Sequence, residues 1–135
     1  MNAPDIKIIA VSNVFSRLMH FKKAGDIEVG HTHSYDHATL VSSGSVRVDV
    51  LGVSGVESSR EFAAPNMVFI QKDKVHQLTA LADNTVCACI HALRTVDETI
   101  ISPEFLVSPM PSENNGEIRN EIQRVYGQTM QAIAH

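Results

Sequence analysis

The sequence predicts an all-β fold with one helix near its C-terminal end. Two observations support this. Short runs rich in Val, Ile and Phe follow one another through the first hundred residues, and clear turn signals separate them. Evenly spaced short strands of this kind favour a sandwich or a barrel. We therefore expect residues 1–97 to form a β-barrel and residues 98–135 to form a C-terminal extension.

Eight strands are predicted from the apolar runs. The turns between them contain Gly, Pro, Asn, Asp or Ser, which adopt turn dihedral angles at little cost. Arg47 and Asp49 alternate with valines, which predicts one solvent-facing side for that strand. The predicted strands are Ile6–Val11, Arg17–Lys23, Thr39–Ser42, Val46–Leu51, Val56–Phe62, Met67–Ile70, Val75–Ala80 and Val86–Leu93.

The C-terminal extension has a different pattern. Ser102-Pro103 and Ser108–Pro111 interrupt regular structure, because proline cannot continue most elements. Asn114 followed by Glu117 resembles a capping box. Apolar residues then recur at helical spacing: Ile118, Ile122, Val125, Tyr126, Met130 and Ile133. We predict a helix over about residues 115–132 that packs on the barrel or on a partner subunit.

Composition excludes several classes of function. The chain of 135 residues has the size of one domain, and its 44% apolar and 19% charged residues are typical of globular proteins. Its formal charge is −4 and its Lys and Arg are scattered, which argues against nucleic-acid binding. We see neither a membrane-spanning run nor a signal peptide. Cys87 and Cys89 do not form a disulfide framework. We expect a cytoplasmic protein.

A histidine cluster is the strongest chemical signal. Three of the seven histidines lie in the heptapeptide His31-Thr32-His33-Ser34-Tyr35-Asp36-His37. Residues two apart on an extended chain face the same side, so His31 and His33 can converge on one ion at about 2.1 Å. A turn could add His37, and a later strand could present His76. The alternative is a polar loop whose histidines stay in solvent.

Two segments resemble the motifs of the cupin superfamily. In the first, Gly25 is followed by five residues, His31-Thr32-His33, three residues, His37, six residues and Gly44. The second runs from Pro65 to His76. The resemblance covers about residues 17–93 and implies a double-stranded β-helix, or jelly roll, with a metal in the barrel mouth. The implied metal ligands are His31, His33, His37 and His76.

The chain departs from these motifs at two positions. The third ligand position is usually Glu and here is His37, while Met67 replaces a usual glycine. The first departure makes the sequence similar to small four-histidine cupins, some of which bind manganese and carry out oxidative cleavage. Small cupins commonly pair, so the resemblance also implies a homodimer.

Four imidazoles would leave the charge of a divalent ion uncompensated, which favours anionic or enolisable oxygen ligands. Imidazole suits Fe, Mn, Ni, Cu or Zn, so the metal identity stays open. An octahedral Fe or Mn ion would keep two positions for a small substrate or dioxygen. A four-coordinate Zn ion would be closed and structural.

Three functions are compatible with such a site. The first is an Fe- or Mn-dependent dioxygenase acting on a small organic molecule. The second is a metal-dependent module that binds or senses a small ligand. The third is a non-redox cupin isomerase, which needs a general base, and His91 is the candidate. The fold alone does not decide among them.

Secondary candidates have simpler alternatives. His91, Cys87 and Cys89 share parity and could line the barrel, but buried structural roles explain them as well. Tyr35 is a second catalytic candidate, and it or Asp36 could orient a histidine; a surface turn explains both. Residues on the strand before the metal loop could bind an anion, although a solvated edge is the default: Arg17, His20, Lys22 and Lys23. The substrate-binding residues stay open.

Overall fold

The structure, a computed structural model, describes residues 1–102. These residues form strands and no helix, and so no helix that could cross a membrane. The all-β prediction is confirmed, whereas the predicted helix over residues 115–132 lies outside the described residues. The strands are β1 (Asp5–Val11), β2 (Val14–Phe21), β3 (Ile27–His31), β4 (His37–Ser43), β5 (Ser45–Gly52), β6 (Gly55–Ala63), β7 (Asn66–Ile70), β8 (Val75–Ala80) and β9 (Thr85–Ala92).

The strands form two sheets. One has the order β1-β2-β9-β4-β7 and the other the order β3-β8-β5-β6. The pairings of β4 with β7 and β9, and of β8 with β3 and β5, are antiparallel. Strands β6 and β7 are consecutive in the chain, yet each lies at the edge of a different sheet. This exchange between sheets brings distant segments of the chain together.

Strand β3 is the one strand that the sequence analysis missed. It pairs with β8 through Ile27 and Glu28, and an irregularity precedes the pairing of His31 with His76. The irregularity breaks the two-residue alternation by which a strand is recognised. Gly30 also hides the strand, because glycine is uncommon there. Glycine occupies position 30 because neighbouring side chains approach the backbone closely there: a Cβ atom at Gly30 would lie 3.1 Å from side-chain carbons of Leu51 and Val75.

The chain packs into two compact units. The first comprises residues 1–7 and 17–90. The second comprises residues 8–16 and, of the described residues, 91–102. In the second unit, the Leu93 amide donates to the Asn13 carbonyl at 2.8 Å, and the Asn13 side chain donates to the Ile101 carbonyl at 3.1 Å. These bonds tie its two segments together.

The first unit has a core built from both sheets. Burial of each large apolar side chain contributes about 1.5–3 kcal/mol before ordering costs. Both cysteines are free and belong to this core, as expected for a chain without a disulfide framework. The core residues are Met19, Phe21, Val41, Val46, Val48, Val68, Ile70, Leu78, Ala80, Cys87 and Cys89.

The face of β5 that carries Arg47 and Asp49 is more buried than predicted. Arg47 is half-buried and Asp49 is buried, although alternation with valines predicted a solvent-facing side. The Asp49 carboxylate accepts hydrogen bonds from Ser59 Oγ at 2.6 Å and from Arg47 Nε at 3.2 Å. These bonds satisfy a charge that would otherwise be costly to bury.

Candidate metal site

Strands β3, β4 and β8 bring the four predicted histidines together. His31 ends β3 and is paired with His76 on β8, while His37 begins β4 and His33 lies in the connecting loop. The ring centroids of His31 and His76 are 4.6 Å apart, and those of His31 and His33 are 4.9 Å apart. The centroid of His37 lies 4.9 Å from that of His33 and 5.2 Å from that of His76. The four rings form a closed cycle of contacts.

The ring nitrogens define a smaller group within this cycle. One nitrogen from each of His31, His33 and His76 lies within 4.8 Å of the other two. Within residues 1–102 this is the one group of His, Cys, Asp or Glu side chains with the spacing of a metal site. His37 lies beside the group, through its ring contacts with His33 and His76. It is buried, as is His76, so the cluster is not a solvent-exposed loop.

Backbone carbonyls fix the proton positions on two of these histidines. The Nδ1 atom of His76 is 3.1 Å from the Lys74 carbonyl oxygen, and that of His31 is 3.4 Å from the Val29 carbonyl oxygen. A carbonyl only accepts, so each Nδ1–H donates and the lone pair of the neutral ring lies on Nε2. The Nε2 atom of His76 is buried and has no hydrogen-bond partner among the described residues. A metal ion fits this donor.

The electrostatic environment favours neutral imidazoles. Burial lowers the pKa of His31 and of His76, and the positive charge of Arg17 lowers both further. The backbone hydrogen bonds of the two rings oppose this effect without overcoming it. Because metals bind the deprotonated ring, a lowered pKa keeps these side chains in the form that binds an ion.

The loop that carries His33 is held by the turn between β7 and β8. The Asp36 carboxylate accepts a hydrogen bond from the Lys72 amide at 2.8 Å, and the Asp73 amide donates to the His33 carbonyl at 2.7 Å. Asp36 therefore positions the loop backbone. The Tyr35 ring stacks on that of His33, with centroids 5.1 Å apart. Tyr35 thus contacts a site histidine, while its catalytic role stays a prediction.

A buried ion pair beside the histidines was missed by the sequence analysis. Arg17 was expected at a solvated edge, but it is only 5% exposed, and its Nη2 atom lies 2.5 Å from Glu28 Oε1. The same carboxylate oxygen is 4.0 Å from His31 Nδ1. A usable signal existed for Arg17, because it shares parity with the core residues Met19 and Phe21. For Glu28 the sequence offered no such signal of burial, because strand β3 was not predicted.

The remaining candidates have other surroundings. His91 is buried in the second unit, where its ring stacks on that of Phe15 at 4.5 Å and its Nδ1 atom is 2.8 Å from the Ala92 carbonyl oxygen. Its assignment as an acid or base stays a prediction. Burial raises the pKa of Cys87 to about 12 and also raises that of Cys89, which fits unreactive core thiols. His20 contacts the Asn84 side chain at 3.2 Å.

Solved structures show what this fold is similar to. KdgF from Halomonas is 19% identical over 70% of this chain and 82% of its own, with a TM-score of 0.55. A cupin-2 domain protein from Shewanella frigidimarina is 18% identical over 65% and 79%, with a TM-score of 0.51. A double-stranded β-helix protein from Klebsiella pneumoniae is 14% identical over 67% and 76%, with a TM-score of 0.56.

These similarities define the class of fold. The chain has the cupin fold, as the resemblance of its two motifs implied. No protein-family model matches the sequence, and a comparison with curated proteins finds no match either. At these identities the likeness concerns the fold alone, so the function has to be argued from the side chains of the site.

Proposed function

We propose that the protein binds one divalent transition metal through His31, His33, His37 and His76 and acts as an oxygenase on a small organic molecule. The observation that carries this proposal is the closed cycle of four imidazoles, in which the buried Nε2 atom of His76 has no hydrogen-bond partner within residues 1–102. Imidazole donors suit Fe, Mn, Ni, Cu and Zn, and an oxygenase requires one of the redox-active members.

Within residues 1–102, the side chains grouped for metal binding are neutral imidazoles. The nearby Glu28 carboxylate is engaged by Arg17, so it does not replace a histidine. A bound iron or manganese ion would supply Lewis acidity and one-electron chemistry to a substrate and dioxygen. The protein's contribution is to keep the imidazoles neutral by burying them and to orient the rings of His31 and His76 through the carbonyls of Val29 and Lys74.

Metal analysis tests the binding half of this proposal. Protein purified without added metal, or incubated with Fe²⁺ or Mn²⁺ and desalted, should retain one ion per chain by elemental analysis. The His33→Ala and His76→Ala variants should lose it, because each removes one nitrogen from the cluster. His20→Ala is the matched control and should keep the ion. A wild-type protein without bound metal, or a metal-loaded His76→Ala variant, would contradict the proposal.

A second candidate is a metal-dependent isomerase, and Glu28 favours it. This carboxylate lies beside His31 and offers a base that the sequence analysis did not identify. The two reactions differ in their co-reactants. Over a panel of small organic acids, an oxygenase consumes dioxygen, whereas an isomerase exchanges substrate C–H hydrogen with deuterated water without oxygen uptake. Metal-loaded protein that binds an acid but does neither would be a binding or sensing module.

A further inference from the structure

A groove lies beside the histidine cluster in the first unit. It has a volume of about 430 Å³ and is lined by residues of β5, β6 and β7 and the turn that follows β7. This volume is in the range of small-molecule binding sites. Its walls are mainly apolar and include Val48, Val50, Phe62, Val68, Phe69 and Ile70.

Strand register places the inner part of the groove next to the histidines. Val50 on β5 is the direct partner of His76 on β8, and Ile70 on β7 is the direct partner of His37 on β4. Directly opposed residues of antiparallel strands project to the same face, with Cβ atoms about 4.5–5.5 Å apart. Two of the groove's apolar residues therefore adjoin two of the four imidazoles.

The groove carries one uncompensated positive charge. Lys74 Nζ lies 3.6 Å from Glu57 Oε2, so these two charges of the lining offset each other. Arg60 has no ion-pair partner among residues 1–102, and its guanidinium carbon lies 5.4 Å from the centre of the Phe62 ring. Arg60 is paired with the core residue Val48 on β5, which places its side chain on the groove's face. A guanidinium stacked on an aromatic ring can bind the acidic group of a ligand whose remaining body is apolar.

We propose that this groove binds the substrate, and that the substrate is a small organic anion with an apolar body. Its acidic group is bound by Arg60, and its apolar body lies along Val48, Val50 and Ile70 toward His37 and His76. The reaction at the histidines rests on the proposed function, whereas binding in the groove does not. Because Arg60 has no ion-pair partner within residues 1–102, the groove favours a small anion over a second copy of this chain. The edge strand of a second copy would pair through its backbone and would not need a positive charge in the groove.

Two probe ions of opposite charge and the same number of carbon atoms test the groove in the full-length, metal-free protein. Hexanoate should shift the NMR methyl signals of Val48, Val50, Val68 and Ile70, and hexylammonium should not. The Arg60→Glu variant should bind hexanoate at least about tenfold more weakly, because a charge-assisted bond becomes a repulsion. Lys7→Glu makes the same charge change at an exposed position of β1 and should stay within about twofold of wild type.

Addition of Mn²⁺ then separates the groove from the metal site. In metal-loaded protein, paramagnetic broadening of the bound hexanoate protons is expected, because the groove adjoins His37 and His76. Hexanoate binding without any retained Mn²⁺ would support the groove and contradict the proposed function. Equal shifts with hexylammonium, or unchanged affinity in Arg60→Glu, would overturn the groove proposal. So would methyl shifts that depend on protein concentration without a probe, because a second copy would then cover the groove.

Discussion

The Arg17–Glu28 pair is a buried ion pair beside the candidate metal site. Both side chains are largely buried, and the Glu28 carboxylate lies between a guanidinium and the His31 ring. Burying two charges costs free energy, and this cost is offset only while both members of the ion pair are present. Removing one partner leaves the other uncompensated inside the protein.

Glu28→Gln should therefore lower the free energy of unfolding by about 2–3 kcal/mol, because the carboxylate that compensates the buried charge of Arg17 is replaced by a neutral amide. Urea denaturation of the metal-free protein measures this change. Glu61→Gln removes a carboxylate from an exposed position of β6 and should stay within about 0.5 kcal/mol of wild type. Equal stability of Glu28→Gln and Glu61→Gln would show that the pair is not important for folding.

At the scale of single elements, motif positions were easier to predict than strand partners. The Gly44 turn between β4 and β5 follows from the sequence, and the structure explains it: φ is +73°, and a Cβ atom there would lie 2.3 Å from Thr85 Oγ1. Strand β3 does not follow, because its irregularity and Gly30 disguise the alternation. Glu28 and its place beside His31 were lost with that strand.

His91 on strand β9 is expected to make the free energy of unfolding sensitive to acid. Burial lowers the pKa of His91 below its ordinary value of 6.5; Arg94 lowers it further, and the hydrogen bond to Ala92 opposes both. The unfolded chain then takes up a proton more readily than the folded chain. The contribution of His91 to the free energy of unfolding is therefore fully present above about pH 6.5 and is lost as the pH drops below that value.

His91→Gln should flatten this decline between about pH 7 and pH 5, whatever its effect on stability at neutral pH. Urea denaturation at a series of pH values measures the slope for the metal-free protein. A His91→Gln slope equal to that of wild type would mean that this buried ring does not contribute to acid sensitivity.

At the scale of the whole molecule, the sequence predicted the all-β class, eight of the strands and the meeting of four histidines. It could do so because apolar alternation and the spacing of His31, His33 and His37 are local properties of the chain, and because the cupin resemblance implied His76. The groove beside the site could not be predicted. It depends on which strands pair and in what register, as in the pairings of Val50 with His76 and Ile70 with His37. A homodimer stays a prediction.

Anomalous diffraction from crystals grown with Mn²⁺ shows whether four histidines hold one ion. We expect one anomalous peak within about 2.1–2.3 Å of a nitrogen of each of His31, His33, His37 and His76, with the Nδ1 atoms of His31 and His76 still bonded to backbone carbonyls. No peak at the cluster, or an ion bound by the other three rings with His37 turned away, would contradict the four-histidine site.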